Sequence, residues 1–488
     1  MNIEKPNAMK RLLIFLTILL YLAVTDLRAQ VLDSLLIKVS TTGTLASEDY
    51  QPLWITSQRF GTLTDRKTDL STRVGFSNAH RFGGDKQFYI RYGADLYNND
   101  HFGEVFLQQA YFKAGYGHLE LRAGRYEEMI GEVDKDLSSG SLGVSGNALP
   151  IPQVGIAFTD YVNVPFTNGW LQFKGQLSHG WMGNDRFIKE AWLHQKTMYL
   201  RVGKKRLKVG AGLQHYAVWG GEQKNLPEIK KNFWDVFLAK EANDGTVGGD
   251  YLPNRSGDHR GVVEGTIDWE TDRTGLHLYM QMPFETGQGI DIRNIDRLLG
   301  VAYTNKQESA WLHKVVAEFI HTRQMNDFYT HNYQESYYNN GIYLTGWEYQ
   351  DRIIGTPLFV SRIRGSQYFP EAVTPFDWNA PRDSLRGKGW NIINNRVIGG
   401  HLGFLYTIKR MFAARTLLTF TQNYGNSDAA SDPFSPSMYQ FYTLQELSYQ
   451  LPSLPLTLKA GIAVDWGELS DNAGLMLGVN WQFDRWKR

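Results

Sequence analysis

The chain has 488 residues, which is too long for one ordinary globular core, and no Pro/Ser-rich or low-complexity linker divides it. Lysine and arginine total 51 against 50 aspartates and glutamates, so the chain lacks the excess of positive charge that is typical of nucleic-acid-binding proteins. Cysteine is absent, which excludes disulfides, thiolate metal sites, a cysteine nucleophile and a lipid anchor on a cysteine.

Residues 1–29 have the pattern of a secretory signal peptide. Lys10 and Arg11 precede the apolar run 12–24, which is shorter than the roughly 20 residues of a spanning helix. Ala29 supplies the small residue expected before a cleavage site. No later apolar run is long enough for a membrane helix, so the sequence argues against a helical membrane protein.

After this leader, apolar and polar residues alternate in short stretches. In 87–97, for example, Phe88 and Leu96 fall on one side of a strand, whereas Arg91 and Asp95 fall on the other. One such strand proves little. Many of them in an exported chain indicate a closed barrel that is apolar outside and polar inside.

Strands are predicted near residues 35–45, 69–80, 86–98, 104–116, 117–126, 153–163, 168–181, 197–203, 205–217, 259–270, 274–284, 296–306, 310–322, 396–408, 411–423, 438–450, 455–466 and 473–484. Short and long links alternate along this series, as in barrels with short periplasmic turns and long outer loops. If both termini are periplasmic, the long links all lie outside only when a strand precedes residue 69. The segment 35–45 supplies that strand.

The sequence therefore predicts an all-β fold, a transmembrane antiparallel β-barrel of about 18 strands over residues 30–488. The N-terminal segment 30–68 includes the first strand, and 218–258 and 323–395 are predicted as large extracellular loop regions. The soluble alternatives are a β-propeller and an array of β-sandwiches. A propeller requires blade repeats of about 40–50 residues, and the sequence contains no such repeat.

The sequence carries no catalytic motif of the metalloprotease, hydrolase or phosphate-loop kinds, so we expect neither enzymatic activity nor a cofactor. Carboxylates cluster at Glu127, Glu128, Glu132, Asp134 and Asp136. We interpret this cluster as a solvated outer loop, with contact to divalent cations or lipopolysaccharide as the weaker alternative. The histidines are scattered and predict no metal site.

The two large loop regions are rich in aromatic residues beside Asn and Arg. Aromatic rings stack on the apolar faces of sugars, while polar side chains bind the hydroxyls. The alternative is that the loops fold over one another and bury these rings. The candidate polysaccharide-binding residues are Trp219, Trp234, Tyr251, Arg255, Tyr337, Tyr338, Arg364, Trp378 and Trp390.

Several motifs resemble those of the capsule-assembly Wzi family. Residues 52–61 are similar to the signature Pro-Phe-Trp-x-x-x-Asn-Arg-x-Gly, with Leu53 and Gln58 in place of the Phe and the Asn. Further similar segments are 219–221, 257–261, 340–358 and 399–404. The order of these motifs is more specific than any one of them, and the resemblance extends over essentially the whole mature chain.

This resemblance implies an 18-stranded outer-membrane barrel without enzymatic activity. Such a protein binds capsular or exopolysaccharide, tethers it at the cell surface and so aids capsule assembly. Outer-membrane lipids and lipopolysaccharide are the other expected partners, and a monomer is expected. Enterobacterial members carry an N-terminal periplasmic helical bundle, for which residues 30–68 are too short and too β-like.

Two other functions remain as alternatives at this point. The first is an outer-membrane porin or sugar channel, in which lumen residues such as Arg91, Asp95, Lys174 and Lys208 would line the path. The second is an outer-membrane glycan hydrolase, which the sequence supports least. Bilayer conductance separates a tether from a porin, and loss of polysaccharide chain length would indicate a hydrolase.

Overall fold

The computed structural model describes residues 34–84, 87–223, 231–240, 257–327, 335–427 and 433–484, and the predicted signal peptide lies outside them. In these residues, eighteen long strands, β1 to β18, form a single sheet. In chain order they span Leu36–Tyr50, Arg66–Phe82, Phe88–Asn99, Glu104–Tyr116, Leu119–Arg125, Gln153–Asn163, Leu171–Trp181, Trp192–Lys204, Leu207–Trp219, Asp258–Glu270, Thr274–Phe284, Arg297–Asn305, Leu312–His321, Val397–Ile408, Phe412–Asn423, Met438–Gln450, Leu456–Gly467 and Asn472–Asp484.

The sheet closes into a barrel because its first and last strands pair with each other. Consecutive strands are antiparallel neighbours, and residues 36–46 of β1 also pair with residues 474–484 of β18. The predicted antiparallel barrel of 18 strands is therefore confirmed. It includes β1, the strand that the alternation of short and long links requires before residue 69.

The two ends of the barrel differ in the length of their links. Residues 205–206 and 409–411 are among the short turns. They lie at the end of the barrel where β1 begins and β18 ends. We call this end the periplasmic end. The long links 126–152, 220–257 and 322–396 lie at the opposite end, which we call the outer end.

Within the described residues, the links contain four short α-helices, α1 to α4, which span Leu53–Thr56, Phe233–Phe237, Arg362–Tyr368 and Arg382–Arg386. The link between β13 and β14 also holds two small strand pairs. These are Glu348–Tyr349 with Arg352–Ile353, and Val360–Ser361 with Ile392–Asn394. None of the helices described is long and apolar enough to cross a membrane.

The outer surface of the barrel wall is apolar and its inner surface is largely polar. On β18, Leu475 and Leu477 are 39% and 55% exposed, whereas Met476 between them is buried. On β3, Leu96 is exposed and Asp95 is buried. Because side chains alternate across a strand, one face of each ribbon meets hydrocarbon and the other faces the lumen, as the alternation predicts.

Aromatic rings border this apolar band near both ends of the barrel. Near the outer end, the Phe441 ring lies 4.8 Å from that of Phe420 and 5.0 Å from that of Trp466. Near the periplasmic end, Trp481 stacks on Phe483 with 6.1 Å between ring centroids. This arrangement matches the two aromatic girdles of outer-membrane barrels.

We predict that Leu477→Arg impairs folding into lipid vesicles. Leu477 lies near the middle of β18 and points outward, where an arginine costs about 2–4 kcal/mol. Heat-modifiable migration on gels measures the folded fraction. Asn480→Arg on the same strand is the control, because Asn480 faces a lumen cavity and its variant should fold normally. Equal folding of the two variants would contradict the assignment of faces.

Candidate functional site

Residues 126–152, which link β5 to β6, fold into the lumen, and we call them the plug. Leu137 has no exposed surface and Leu142 is 3% exposed. The wall also binds the plug backbone: Nε2 of His401 donates to the carbonyl oxygen of Leu137 at 2.7 Å. The backbone N–H of Leu142 donates to Oε1 of Gln281 at 2.8 Å. The plug is thus part of the core rather than a surface loop.

Three tyrosine–glutamate pairs on the inner wall repeat one arrangement. In each pair, a tyrosine hydroxyl donates to a glutamate two strands away, across a glycine of the strand between them. The pairs are Tyr89–Glu120 at 3.0 Å, Tyr199–Glu264 at 2.8 Å and Tyr279–Glu318 at 2.6 Å, over Gly115, Gly212 and Gly300. A Cβ on any of these glycines would overlap the ring, so a larger residue there would displace the tyrosine.

Two of these glutamates hold the plug. Glu264 accepts a hydrogen bond from the backbone N–H of Glu132 at 2.8 Å. Glu318 accepts from Oγ of Ser138 at 2.6 Å and from the backbone N–H of Ser139 at 2.7 Å. Because hydrogen bonds to charged groups are among the stronger ones, these two carboxylates fix the position of the plug on the wall.

The acidic part of the plug is not the solvated outer loop that the sequence predicts. Three of its carboxylates face the lumen and pair with one arginine and two lysines of the wall. These ion pairs are Glu128–Arg122 at 2.7 Å, Glu132–Lys174, and Asp134–Lys314 at 2.8 Å. The prediction is wrong because two of the cationic partners, Lys174 and Lys314, lie on strands that are distant in sequence, and local composition does not reveal them.

The long link between β13 and β14 forms a second layer over the plug. The hydroxyl of Tyr338 donates to the carbonyl oxygen of Leu142 at 2.7 Å. Nε1 of Trp347 donates to the carbonyl oxygen of Gly143 at 2.7 Å. The loop layer, the plug and the wall therefore share one continuous core.

Four of the aromatic side chains proposed from the sequence are buried. The exposed fraction is 3% for Trp219, 1% for Tyr337, 4% for Tyr338 and 9% for Trp378. The hydroxyl of Tyr337 donates to Asp296 at 2.9 Å. In this arrangement these rings pack the loops, and they would contact a ligand only after a loop movement. Their part in binding stays a prediction.

Arg364, another proposed residue, contacts neighbouring protein groups. Its guanidinium donates to the carbonyl oxygen of Gln51 at 2.8 Å and to the hydroxyl of Tyr368 at 2.9 Å. It also lies 3.4 Å from the carboxylate of Asp65. These contacts join α3 to the link between β1 and β2.

Trp234 and Trp390 are the more accessible members of the proposed set. Trp234 is 64% exposed, and Trp390 is partly exposed. Trp234 and the buried Trp219 belong to one aromatic cluster, because Phe233 lies 5.4 Å from the first and 6.2 Å from the second. Tyr251 and Arg255 lie outside the described residues.

A cavity of about 540 Å³ opens at the outer end, beside the hairpin of β1 and β2. This volume is in the range of small-molecule sites. Its carboxylates are Asp49, Asp65, Glu104, Asp185 and Asp351, and its arginines are Arg66 and Arg352. Among the described residues, none of those proposed from the sequence lines it. We call it the outer cavity.

Neighbouring charges shift the pKa values of two carboxylates of the outer cavity in opposite directions. Burial alone would raise the pKa of Asp65, but Arg352 and Arg364, at 3.7 and 3.4 Å, hold that pKa below its usual value. Burial and the neighbouring carboxylate of Asp185 raise the pKa of Asp351. In the described part of the chain, no group of three His, Asp or Glu side chains is arranged to hold a metal ion.

Sequence reasoning missed Asp351 because it concentrated on aromatic rings. Gln350 and Asp351 form the turn between the strands 348–349 and 352–353, with φ values of 46° and 62°. Positive φ at both residues of a two-residue link is the usual geometry of a tight β-hairpin turn. Two polar residues between short apolar runs do indicate a turn, but they do not place it over a cavity.

Comparison with known proteins gives one family and several structures. A sequence model of the family described as capsule assembly protein Wzi matches residues 52–361. Among curated protein sequences, none matches this chain.

The fold is similar to the structure of Wzi from Escherichia coli, described as an outer membrane protein involved in group 1 capsule assembly and a carbohydrate-binding β-barrel. The two share 15% identity over 95% of this chain and 88% of that one, with a TM-score of 0.55. The Pseudomonas aeruginosa protein OpdQ shares 9% identity over 92% of this chain and 97% of that chain, with a TM-score of 0.48.

We predict that the double variant Glu264→Ala, Glu318→Ala loosens the plug. Each change leaves plug donors and a wall tyrosine without their acceptor, which costs about 1–3 kcal/mol per group. Cells carrying this variant should become sensitive to large hydrophilic antibiotics. Glu270→Ala is the matched control, because Glu270 lies in an exposed ion pair at the periplasmic end. Unchanged sensitivity with normal protein levels would contradict the role of these carboxylates.

Proposed function

This chain belongs to the family of capsule assembly protein Wzi, and we propose that it binds capsular or exopolysaccharide at the outer end of its barrel and tethers it at the cell surface. The observation that carries this proposal is an open outer cavity above a lumen filled by the plug. A filled lumen favours holding a polymer at the surface over passing it through the wall.

The chemistry of the outer cavity suits a saccharide. Carboxylates and arginines offer acceptors and donors for hydroxyl groups, while Leu63, Phe106 and Leu149 supply apolar surface for the C–H face of a sugar ring. Phe106 is held in place by stacking on Tyr97, with 5.8 Å between ring centroids. A rigid apolar wall beside fixed polar groups is the usual composition of a ligand site.

Family membership supports the same class of ligand. The Escherichia coli Wzi barrel is described as carbohydrate-binding, and this chain has the same fold. At 15% identity the binding residues of that protein do not transfer to this one. The proposed site therefore depends on the residues of this chain.

The residues proposed from the sequence divide into two groups under this proposal. Trp234 and Trp390, whose rings are accessible, stack on sugar units of the polymer at the outer end. Tyr251 and Arg255 are candidates in the same loop region as Trp234. The other described members support the loops from below: Trp219, Tyr337, Tyr338 and Trp378 are buried, and Arg364 is partly exposed.

The proposed role is binding without catalysis and needs no cofactor. The apolar band of the wall would contact outer-membrane lipids, and lipopolysaccharide would surround the outer girdle, with the protein acting as a monomer. A porin or sugar channel is disfavoured because plug residues such as Leu137 and Leu142 are packed in the lumen. Incubation with the purified protein should leave the chain length of the polysaccharide unchanged.

We predict that Asp185→Ala combined with Asp351→Ala weakens polysaccharide binding about tenfold or more, since hydrogen bonds to charged groups contribute about 1.5–3 kcal/mol each. Affinity of the purified protein for the polysaccharide of its own strain, and retention of that polysaccharide on washed cells, measure the effect. Glu371→Ala is the control, because Glu371 is exposed on the outer loops and does not line the cavity. Wild-type affinity of the double variant would refute the assignment of the outer cavity.

A further inference from the structure

A second cavity, of about 430 Å³, lies on the other side of the plug. The strand residues that line it are near the short turns, so it faces the periplasmic end of the lumen. Arg91, for example, is close to the start of β3 at Phe88, and Lys113 is close to the end of β4 at Tyr116. Plug residues 127–133 and 135 form its lining on the outer side. We call it the inner cavity.

The wall of the inner cavity carries a row of like charges. Arg91 on β3 lies directly opposite Lys113 on β4, and Lys113 lies directly opposite Arg122 on β5. All three side chains face the lumen. Like charges directly opposite each other in a sheet destabilise it, so this row has an energetic cost within the protein alone. A bound anion would remove that cost.

The carboxylates of the inner cavity do not neutralise this row. Five cationic and four anionic side chains line the cavity. Glu128 pairs with Arg122, and Glu132 pairs with Lys174. The other two carboxylates, Glu120 and Glu127, accept hydrogen bonds from Tyr89 at 3.0 Å and from Gln108 at 2.8 Å. Within the described residues, Arg91, Lys113 and Lys135 form no ion pair with a carboxylate, and Glu120 attracts Lys113 only from beyond ion-pair distance.

Aromatic rings hold the unpaired cations in place. The ammonium of Lys113 lies 4.4 Å from the ring centroid of Tyr126, and the guanidinium of Arg91 lies 4.6 Å from that of Tyr89. Lys135 reaches the cavity from the plug and is exposed to it. Cations that aromatic rings hold in position offer a carboxylate its counter-charge.

We propose that the inner cavity is a second saccharide site, specific for a sugar that carries a carboxylate. It is reached from the periplasm and is separated from the outer cavity by the plug. Arg91, Lys113 and Lys135 bind the carboxylate, and the polar side chains of Thr159, Gln176 and Thr197, which also line the cavity, bind the hydroxyls. This site does not depend on the proposed function of the outer cavity, whose five carboxylates repel the same ligand.

Isothermal titration of the detergent-solubilised full chain with trigalacturonate tests the proposal, with neutral maltotriose for comparison. Trigalacturonate should bind at least tenfold more tightly than maltotriose. The double variant Lys113→Gln, Lys135→Gln should lose at least tenfold in affinity for trigalacturonate and keep its heat-modifiable migration. Inorganic phosphate in excess should compete only weakly, and full competition would reduce the site to a general anion site and overturn the sugar specificity.

Two control variants separate this site from other sites. Lys208→Gln removes a lumen lysine that does not line the inner cavity, and Asp351→Ala alters the outer cavity; both should leave trigalacturonate binding unchanged. Equal affinity for the two trisaccharides, or wild-type affinity in the lysine double variant, would overturn the proposal. Loss of binding in the Asp351 variant would instead place trigalacturonate at the outer end and would also overturn it.

Thiol labelling tests whether the inner cavity opens toward the periplasm. The chain has no cysteine, so Lys135→Cys introduces a unique thiol into the cavity. A membrane-impermeant maleimide should label it only after the outer membrane is permeabilised, and trigalacturonate should slow the labelling. Labelling on intact cells would show that the cavity opens outward and would contradict the proposal.

Discussion

The polar inner face of the barrel wall needs hydrogen-bond partners, and the backbone of the plug supplies many of them. In a water-filled porin, solvent meets this need. Here Glu264, Glu318, Gln281 and His401 each bind a backbone group of residues 126–152. Because unpaired buried polar groups cost about 1–3 kcal/mol each, removing the plug would leave both the wall and the plug unsatisfied. This mutual dependence explains why the segment lies inside, and the ion pairs of Glu128, Glu132 and Asp134 with the wall explain why it can be acidic.

In the repeated tyrosine–glutamate arrangement, the wall holds its glutamate side chains in the orientation that binds the plug. A carboxylate on an open sheet can adopt several rotamers, whereas a tyrosine two strands away fixes it in one. The tyrosine ring lies over a position of the intervening strand that has no side chain, and Gly212 or Gly300 provides that position. The plug therefore meets acceptors that are already oriented, which lowers the entropy lost when it docks. The plug also separates an acidic outer cavity from an inner cavity that holds three cations without an ion pair among the residues described.

Local sequence patterns predict the strands of the barrel wall, but they do not predict the plug and the loops that fill the lumen. A side-chain period of two is a local signal, so the predicted limits of β4 and β6, 104–116 and 153–163, agree with the structure. The plug lacks such a signal. In the sequence, its Asp134 has the surroundings of a solvated residue. In the closed barrel, Asp134 pairs with Lys314, which is far away in the chain. Aromatic loop residues present the same difficulty, since composition does not distinguish the buried Tyr337 from the exposed Trp234.

The conductance of the purified protein in planar lipid bilayers tests the central claim most directly, namely that the barrel is filled and holds its ligand at the surface. Insertion without discrete current steps at moderate voltage is the expected result, because the plug and the loop layer occupy the lumen. Stable ohmic steps of the size that porins give would contradict it. The lumen would then be an open path, and transport would replace tethering as the function.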